Sequence, residues 1–188
     1  MKILYFDVET TGRDPKVNEI IQFSAIVEID GEVVEEANWF AQPTRWDCIE
    51  EEALEVIGKT REELETYPPA SALMDGIRSL FDAYIDQYDK TDKFYPAGHN
   101  VQFDLDFLQA FWKQHGDEYG TGSYQNWRSL DSRVLAHFLI AAGKIPEPEN
   151  IKLETLCTQF GIPIDAHDAM SDITATRELI KRMLTYFK

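Results

Sequence analysis

Three apolar runs open this chain, Ile3 to Val8, Ile20 to Ile29 and Glu32 to Ala41, and the last two are joined by Asp30-Gly31 alone. A two-residue Asp-Gly joint between runs rich in β-branched residues predicts a tight hairpin, because both positions tolerate the positive φ that matches strand twist. The chain is therefore expected to begin as a meander of three strands, and the remaining residues must cover it.

That remainder reads mostly as helix. Glu50 to Ile57 forms a short helix closed by Gly58, and Thr60-Arg61-Glu62-Glu63 carries a capping-box pattern that begins another. Pro68-Pro69 breaks the chain before Ser71 to Tyr88, where Leu73, Ile77, Leu80, Phe81, Tyr84 and Ile85 fall at the spacing of a core-facing stripe. A short strand is expected over Lys93 to Gly98, and helices over Val101 to His115, Ser132 to Ala142, Ile151 to Phe160 and Ala169 to Phe187. Gly116 to Gly122 and Trp127 to Asp131 lie between the first two of these helices, Pro146-Glu147-Pro148 is an extended connector, and Gly161-Ile162-Pro163 punctuates the end. Early strands and late helices imply an α/β sheet flanked by helices. With no repeat and no linker, residues 1–188 are expected to form one domain.

Hydrophobic residues make up 44% of the chain and aromatics 12%, which fits a globular core and argues against disorder. The apolar run after Lys2 is too short for a signal peptide, no stretch is long enough to span a bilayer, and Cys48 and Cys157 form no C-x-x-C pair. A cytoplasmic chain with two reduced thiols is expected, without a membrane partner.

The chemistry starts at Asp7 and Glu9. Alternation places Tyr5, Asp7 and Glu9 on one side of the first strand, with Phe6 and Val8 on the other. Two like charges on one face at a strand end resist desolvation unless a divalent cation neutralises them, and oxygen-only ligands favour Mg²⁺ or Mn²⁺. The alternative is a strand whose end simply emerges into water. In Val101 to His115, Asp106 aligns with Gln102, Gln109 and Lys113 on the solvent side, whereas Asp104 aligns with Phe107, Leu108 and Phe111. An acid on an apolar face is expected to be paired or ligating, unless it only complements the helix dipole. Asp168 suits an N-cap, which puts Asp172 one turn into the last helix beside Ala169, Ile173, Thr176 and Leu179. His167, on the loop before it, can accept a proton from water near neutral pH; taken alone it is an ordinary surface or core histidine.

Together the segments Phe6-Asp7-Val8-Glu9-Thr10-Thr11-Gly12, His99-Asn100-Val101-Gln102-Phe103-Asp104 and His167-Asp168-Ala169-Met170-Ser171-Asp172 resemble, in order and over nearly the whole chain, the DEDDh group of 3′-to-5′ exonucleases. That group includes DnaQ-like proofreading subunits, oligoribonuclease and RNase T. The resemblance implies an RNase H-like mixed β-sheet, an antiparallel three-strand meander plus parallel strands flanked by α-helices. It implies that Asp7, Glu9, Asp104 and Asp172 hold two divalent cations, with Asp7 bridging them and His167 taking the proton of the attacking water. The implied product is a nucleoside 5′-monophosphate cut from the 3′ end of single-stranded DNA or RNA. Thr10, Thr11 and Gly12 would seat the terminal sugar and base, with Asn100 and Phe103 as neighbours. Each has a plainer reading: Gly12 makes the turn, Asn100 caps a helix, Phe103 belongs to the core. Leu130-Asp131-Ser132 is also family-like, although Asp131 reads more simply as an N-cap. The tract from Gly116 to Trp127, with Tyr119, Tyr124 and Trp127, is either a surface loop or a flap that stacks on bases.

The net charge of −16 argues against extended duplex binding, and two bound divalent cations would offset only four of those charges. An enzyme gripping a few nucleotides at a nucleic-acid 3′ end remains compatible. The alternatives are oligoribonuclease-like degradation of very short RNA and a non-catalytic accessory module that keeps the fold. With its last helix ending near Lys188, the chain is expected to act free-standing or to dock through its globular surface. A protein partner or homo-oligomer is left open.

Overall fold

A computed structural model describes residues 1–164 and 168–187. The meander forms as expected, with β1 at Lys2–Thr10, β2 at Ile20–Ile29 and β3 at Glu32–Phe40. Asp30 and Gly31 both adopt positive φ, 51° and 95°, which is the backbone of the hairpin turn read from their identities. Then come α1 at Glu51–Ile57, closed by left-handed Gly58, α2 at Arg61–Leu64 and α3 at Ala70–Tyr84. Next are β4 at Tyr95–Gly98, α4 at Val101–Gln114, β5 at Leu130–Asp131 and α5 at Ser132–Ala141. The helices α6, Leu153–Phe160, and α7, Ala169–Leu184, complete the described elements.

The sheet order is β3-β2-β1-β4-β5, with β1 antiparallel to β2, β2 antiparallel to β3, and β1, β4 and β5 parallel. This is the RNase H-like mixed sheet. One face, with Leu4, Phe6, Val8, Phe23, Ala25 and Val27, packs against the buried sides of α3 and α4. Ile3, Tyr5 and Ile26 on the other face meet Ile173 and Ile180 of α7, beyond which Leu139, Leu156 and Leu179 join α5, α6 and α7. Alternation along β1 thus decides which helix each of its acids can meet.

Several boundaries move for local reasons. The strand expected from Lys93 begins at Tyr95, because Phe94 pairs elsewhere: its N–H donates to the Tyr124 carbonyl at 2.9 Å and its carbonyl accepts from Asn126 N at 2.8 Å. The helix expected to reach Tyr88 stops at Tyr84, whose carbonyl accepts from Lys2 Nζ at 2.6 Å while Ile85 turns extended. The last helix gives way to a 3-10 turn at Thr185–Phe187. Only half of the capping box forms: Thr60 Oγ1 accepts from Glu63 N at 3.2 Å, while Glu63 Oε1 is taken by Lys59 Nζ and the Tyr67 hydroxyl.

Tyr124 lies outside any flap. It is buried between Phe81 and Trp112, with ring centroids 5.4 and 5.5 Å away, and its hydroxyl donates to Asp82 Oδ1 at 2.6 Å. Tyr119 and Trp127 in the same tract are exposed.

Candidate active site

β1 outlasts its parallel neighbour. The β4 register covers only Ile3 to Tyr5, so beyond Tyr5 the β4 side of β1 has no strand to pair with. α4 fills that edge, and the Val8 N–H donates to Asp104 Oδ1 at 3.0 Å. Asp104 is only 3% exposed, as its place on the apolar stripe of α4 requires. Asp106 lies on the solvent side and accepts from Gln102 Nε2 at 2.8 Å.

Asp7 and Glu9 extend from β1 past Tyr5 toward the side covered by α7. Asp172 stands in the first turn of α7, which Asp168 caps by accepting from Ser171 N at 2.8 Å. Asp7 feels the charges of the other three acids. The Asp7 carboxyl is pushed well above the usual carboxylate range, first by burial and then by the charges of Asp104, Glu9 and Asp172. Burial and the neighbouring charges of Asp172 and Asp168 raise Glu9 to about 7, against a smaller lowering by Lys59. Asp104 is also raised by burial, although the Val8 N–H stabilises its charged form. Among the described residues, no group of three or more His, Cys, Asp or Glu side chains is already set to hold a metal ion. His167 lies outside the described residues.

Beside the acids is a cleft of about 180 Å³ lined by Glu9, Thr10, Gly12, Arg13 and Phe103, with α1 opposite. The structure brings Thr10, Gly12 and Phe103 to this cleft, but it uses Thr11 differently. The buried Thr11 hydroxyl accepts from Glu19 N at 2.9 Å and its carbonyl accepts from Glu50 N at 2.8 Å, so it ties the loop to β2 and α1. Gly12 owes its identity to close approach rather than to the turn, since a Cβ there would overlap the Asn18 and Glu50 side chains. Asn100 is exposed and left-handed, with φ of 65°, and makes no side-chain cap. Asp131 caps instead, accepting from Val101 N at 3.1 Å and Arg133 N at 2.8 Å, so one carboxylate starts both α4 and α5.

Arg13 and the α1 residues Ala53, Val56 and Ile57 also line the cleft and were not among the expected site residues. Adjacency to Gly12 was a signal for Arg13; the part played by α1 is tertiary and left no local trace. His99, within the second motif, is held near Ser132, with Nδ1 and Oγ 2.7 Å apart, and burial lowers it to about 4. It is a neutral packing residue at neutral pH. Cys48 and Cys157 are free, and among the described residues no helix is long and apolar enough to cross a membrane.

Comparison with known proteins places the fold and the family. The exonuclease family profile of the RNase T type matches residues 4–180. PolC-type DNA polymerase III from Halalkalibacterium halodurans is 28% identical over 97% of this chain and 11% of its own length, and that from Bacillus subtilis is 30% identical over 95% and 11%. Escherichia coli exonuclease I, solved with a dT13 oligonucleotide, superimposes with a TM-score of 0.75 at 27% identity, covering 98% of this chain and 40% of that one. A zinc-bound form of the E. coli exonuclease I–ssDNA complex gives a TM-score of 0.75 and 27% identity over 98% of this chain and 42% of that one. The chain thus spans about a tenth of these polymerases and two fifths of exonuclease I. From its sheet order, its acids and the match over nearly its whole length, the chain belongs to the RNase T family of exonucleases.

Proposed function

We propose that this chain hydrolyses single-stranded nucleic acid from the 3′ end, releasing nucleoside 5′-monophosphates, with Asp7, Glu9, Asp104 and Asp172 as ligands for two divalent cations, Mg²⁺ or Mn²⁺. The observation that carries the reading is the placement of four acids on β1, α4 and α7, with Asp104 3% exposed against the end of β1 where Asp7 and Glu9 stand. Such a set is costly without cations, and its all-oxygen chemistry fits hard divalent ions. When bound, the ions would supply charge neutralisation at the scissile phosphate.

The chain's own residues do the rest. Thr10, Gly12 and Phe103 line the cleft that seats the terminal nucleotide, and Arg13 at its edge offers a positive charge to a phosphate. His167 takes the proton of the attacking water. Asp104 fixes the open edge of β1, so the two β1 acids keep their spacing while substrate exchanges. The dT13 complex of the similar E. coli exonuclease I favours DNA as the first substrate to try.

The test is release of mononucleotides from end-labelled single-stranded DNA, duplex ends, and short and long RNA, in Mg²⁺ and in Mn²⁺. Release from the 3′ end is expected, abolished in Asp7→Ala and slowed roughly 10²–10⁴-fold in His167→Ala, the usual cost of losing a general base. No release with either metal would leave a binding module that keeps the fold.

A further inference from the structure

The solvent side of α4 carries a second cleft, of about 600 Å³, that the catalytic reading does not use. Gln102, Asp106 and Gln109 form one wall as a helical stripe, and Tyr119, Thr121, Gly122 and residues 125–127 supply much of the other. Phe103, next to Gln102, faces the catalytic cleft instead, so the first turns of α4 stand between the two clefts.

Three observations here point to a ligand. Gln125 is 8% exposed and lines the cleft, yet among the described residues neither its amide nitrogen nor its amide oxygen has a hydrogen-bond partner. A buried amide left unsatisfied on both sides costs free energy that nothing visible in the fold offsets. Trp127 and Tyr119 are 86% and 85% exposed on the same cleft, and the Arg128 guanidinium lies 4.9 Å over the Trp127 ring. Lys90 and Lys93 bring positive charge to the cleft of a strongly acidic chain. Lys93 Nζ donates to the Gly122 and Ser123 carbonyls and so holds the turn in place, while Asp106, which accepts from Gln102 Nε2 at 2.8 Å, sets one negative charge on the opposite wall.

We propose that this cleft holds an unpaired nucleobase of the single strand, upstream of the end bound at the catalytic acids. The proposal rests on the exonuclease reading above and names where more of its substrate lies. Exposed indole and phenol rings stack on any base, Lys90 offers charge to a neighbouring phosphate, and a glutamine amide presents the donor and acceptor that match the N7 and N6 edge of adenine. Arg128 covers one face of the Trp127 ring, which is otherwise 86% exposed, so its other face is open to a base beside Gln125. An acidic chain of this kind gains grip from stacking rather than from counterion release.

The test measures equilibrium binding of fluorescein-labelled oligothymidylate and oligoadenylate by the full chain carrying Asp7→Asn, at a length that fills only the catalytic cleft and at a longer one. Trp127→Ala is expected to reduce the preference for long over short strands by about 5- to 150-fold, the range for one lost base stack. Gln125→Leu is expected to reduce the preference for adenine over thymine in the long strands, with no fall in melting temperature, because it removes two unsatisfied polar atoms. Unchanged preferences in both variants, in a parent that binds long strands, would overturn the proposal and leave the exonuclease reading intact. A lowered melting temperature in Gln125→Leu would show the amide to be structural and overturn its part. A parent that binds strands of neither length, together with a wild-type chain that releases no mononucleotides, would overturn both readings.

Discussion

Asp104 accepts the Val8 N–H at 3.0 Å, in the place where the sheet offers β1 no further strand. One carboxylate therefore does two things: it completes the backbone pairing of β1 and adds a charge beside Asp7 and Glu9. The two roles separate by substitution. Asp104→Asn keeps an acceptor for Val8 and removes a buried charge, so the metal-free protein should melt no lower than wild type while turnover is lost. Asp104→Ala orphans the N–H and should cost about 1–3 kcal/mol in denaturant unfolding. Full activity in Asp104→Asn would remove this residue from the catalytic set.

The acids also set a pH dependence opposite to that of most carboxylates. Glu9 rises from 4.5 to about 7 on folding, with Asp7 and Asp104 raised too, so the folded state binds protons that the unfolded state has released. Their stabilising contribution is complete below the unfolded value and is lost as pH rises through the folded one. Melting temperature in EDTA should therefore fall as pH rises from about 4.5 to about 7, the unfolded and folded values of Glu9, and Glu9→Gln should flatten that fall. His99, lowered from 6.5 to about 4, acts on the other side: its contribution is lost as pH drops from 6.5 toward 4. A metal-free profile that climbs steadily through pH 8 would contradict the crowding of the acids.

Much of this site was legible in the sequence because it depends on local periodicity. Alternation put Asp7 and Glu9 on one face of β1, and helical spacing separated Asp104 from Asp106, as their burial and partners now show. The Asp30-Gly31 turn was equally local. What escaped depended on tertiary competition. Thr11 turns inward because Glu19 and Glu50 bond to it, Tyr124 is drawn into the aromatic core by Phe81 and Trp112, and Phe94 pairs with residues 124–126 instead of extending β4. None of these partners is close enough in sequence to leave a periodic signal.

Glu28 ties the sheet to the helix that carries Asp172. It is 4% exposed on β2 and pairs with Arg177 at 2.7 Å and Lys181 at 3.0 Å, both on α7. Glu28→Ala strands two cations whose ends still reach solvent, so its cost should be about 3 kcal/mol, the lower end for broken buried pairs. Because the loss loosens α7, Mn²⁺ affinity measured by calorimetry should weaken as well. A variant as stable as wild type with unchanged metal binding would show that apolar packing alone positions Asp172.

Gly12 offers the last test, because its close contacts join the cleft to its scaffold. A methyl group at this position meets Asn18, whose Nδ2 donates to the Cys48 carbonyl at 2.8 Å, and Glu50, whose Oε1 accepts from Arg13 N at 3.4 Å. Gly12→Ala must push at least one of them aside, a crowding that typically costs about 1–3 kcal/mol. The displacement falls on the cleft lined by Thr10, Arg13 and Phe103, while the acids keep their places on β1, α4 and α7. The expected signature is a KM for single-stranded DNA raised severalfold with a smaller change in kcat, together with a lowered melting temperature. Loss of kcat at unchanged KM would instead place Gly12 with the reacting atoms rather than with the nucleotide seat.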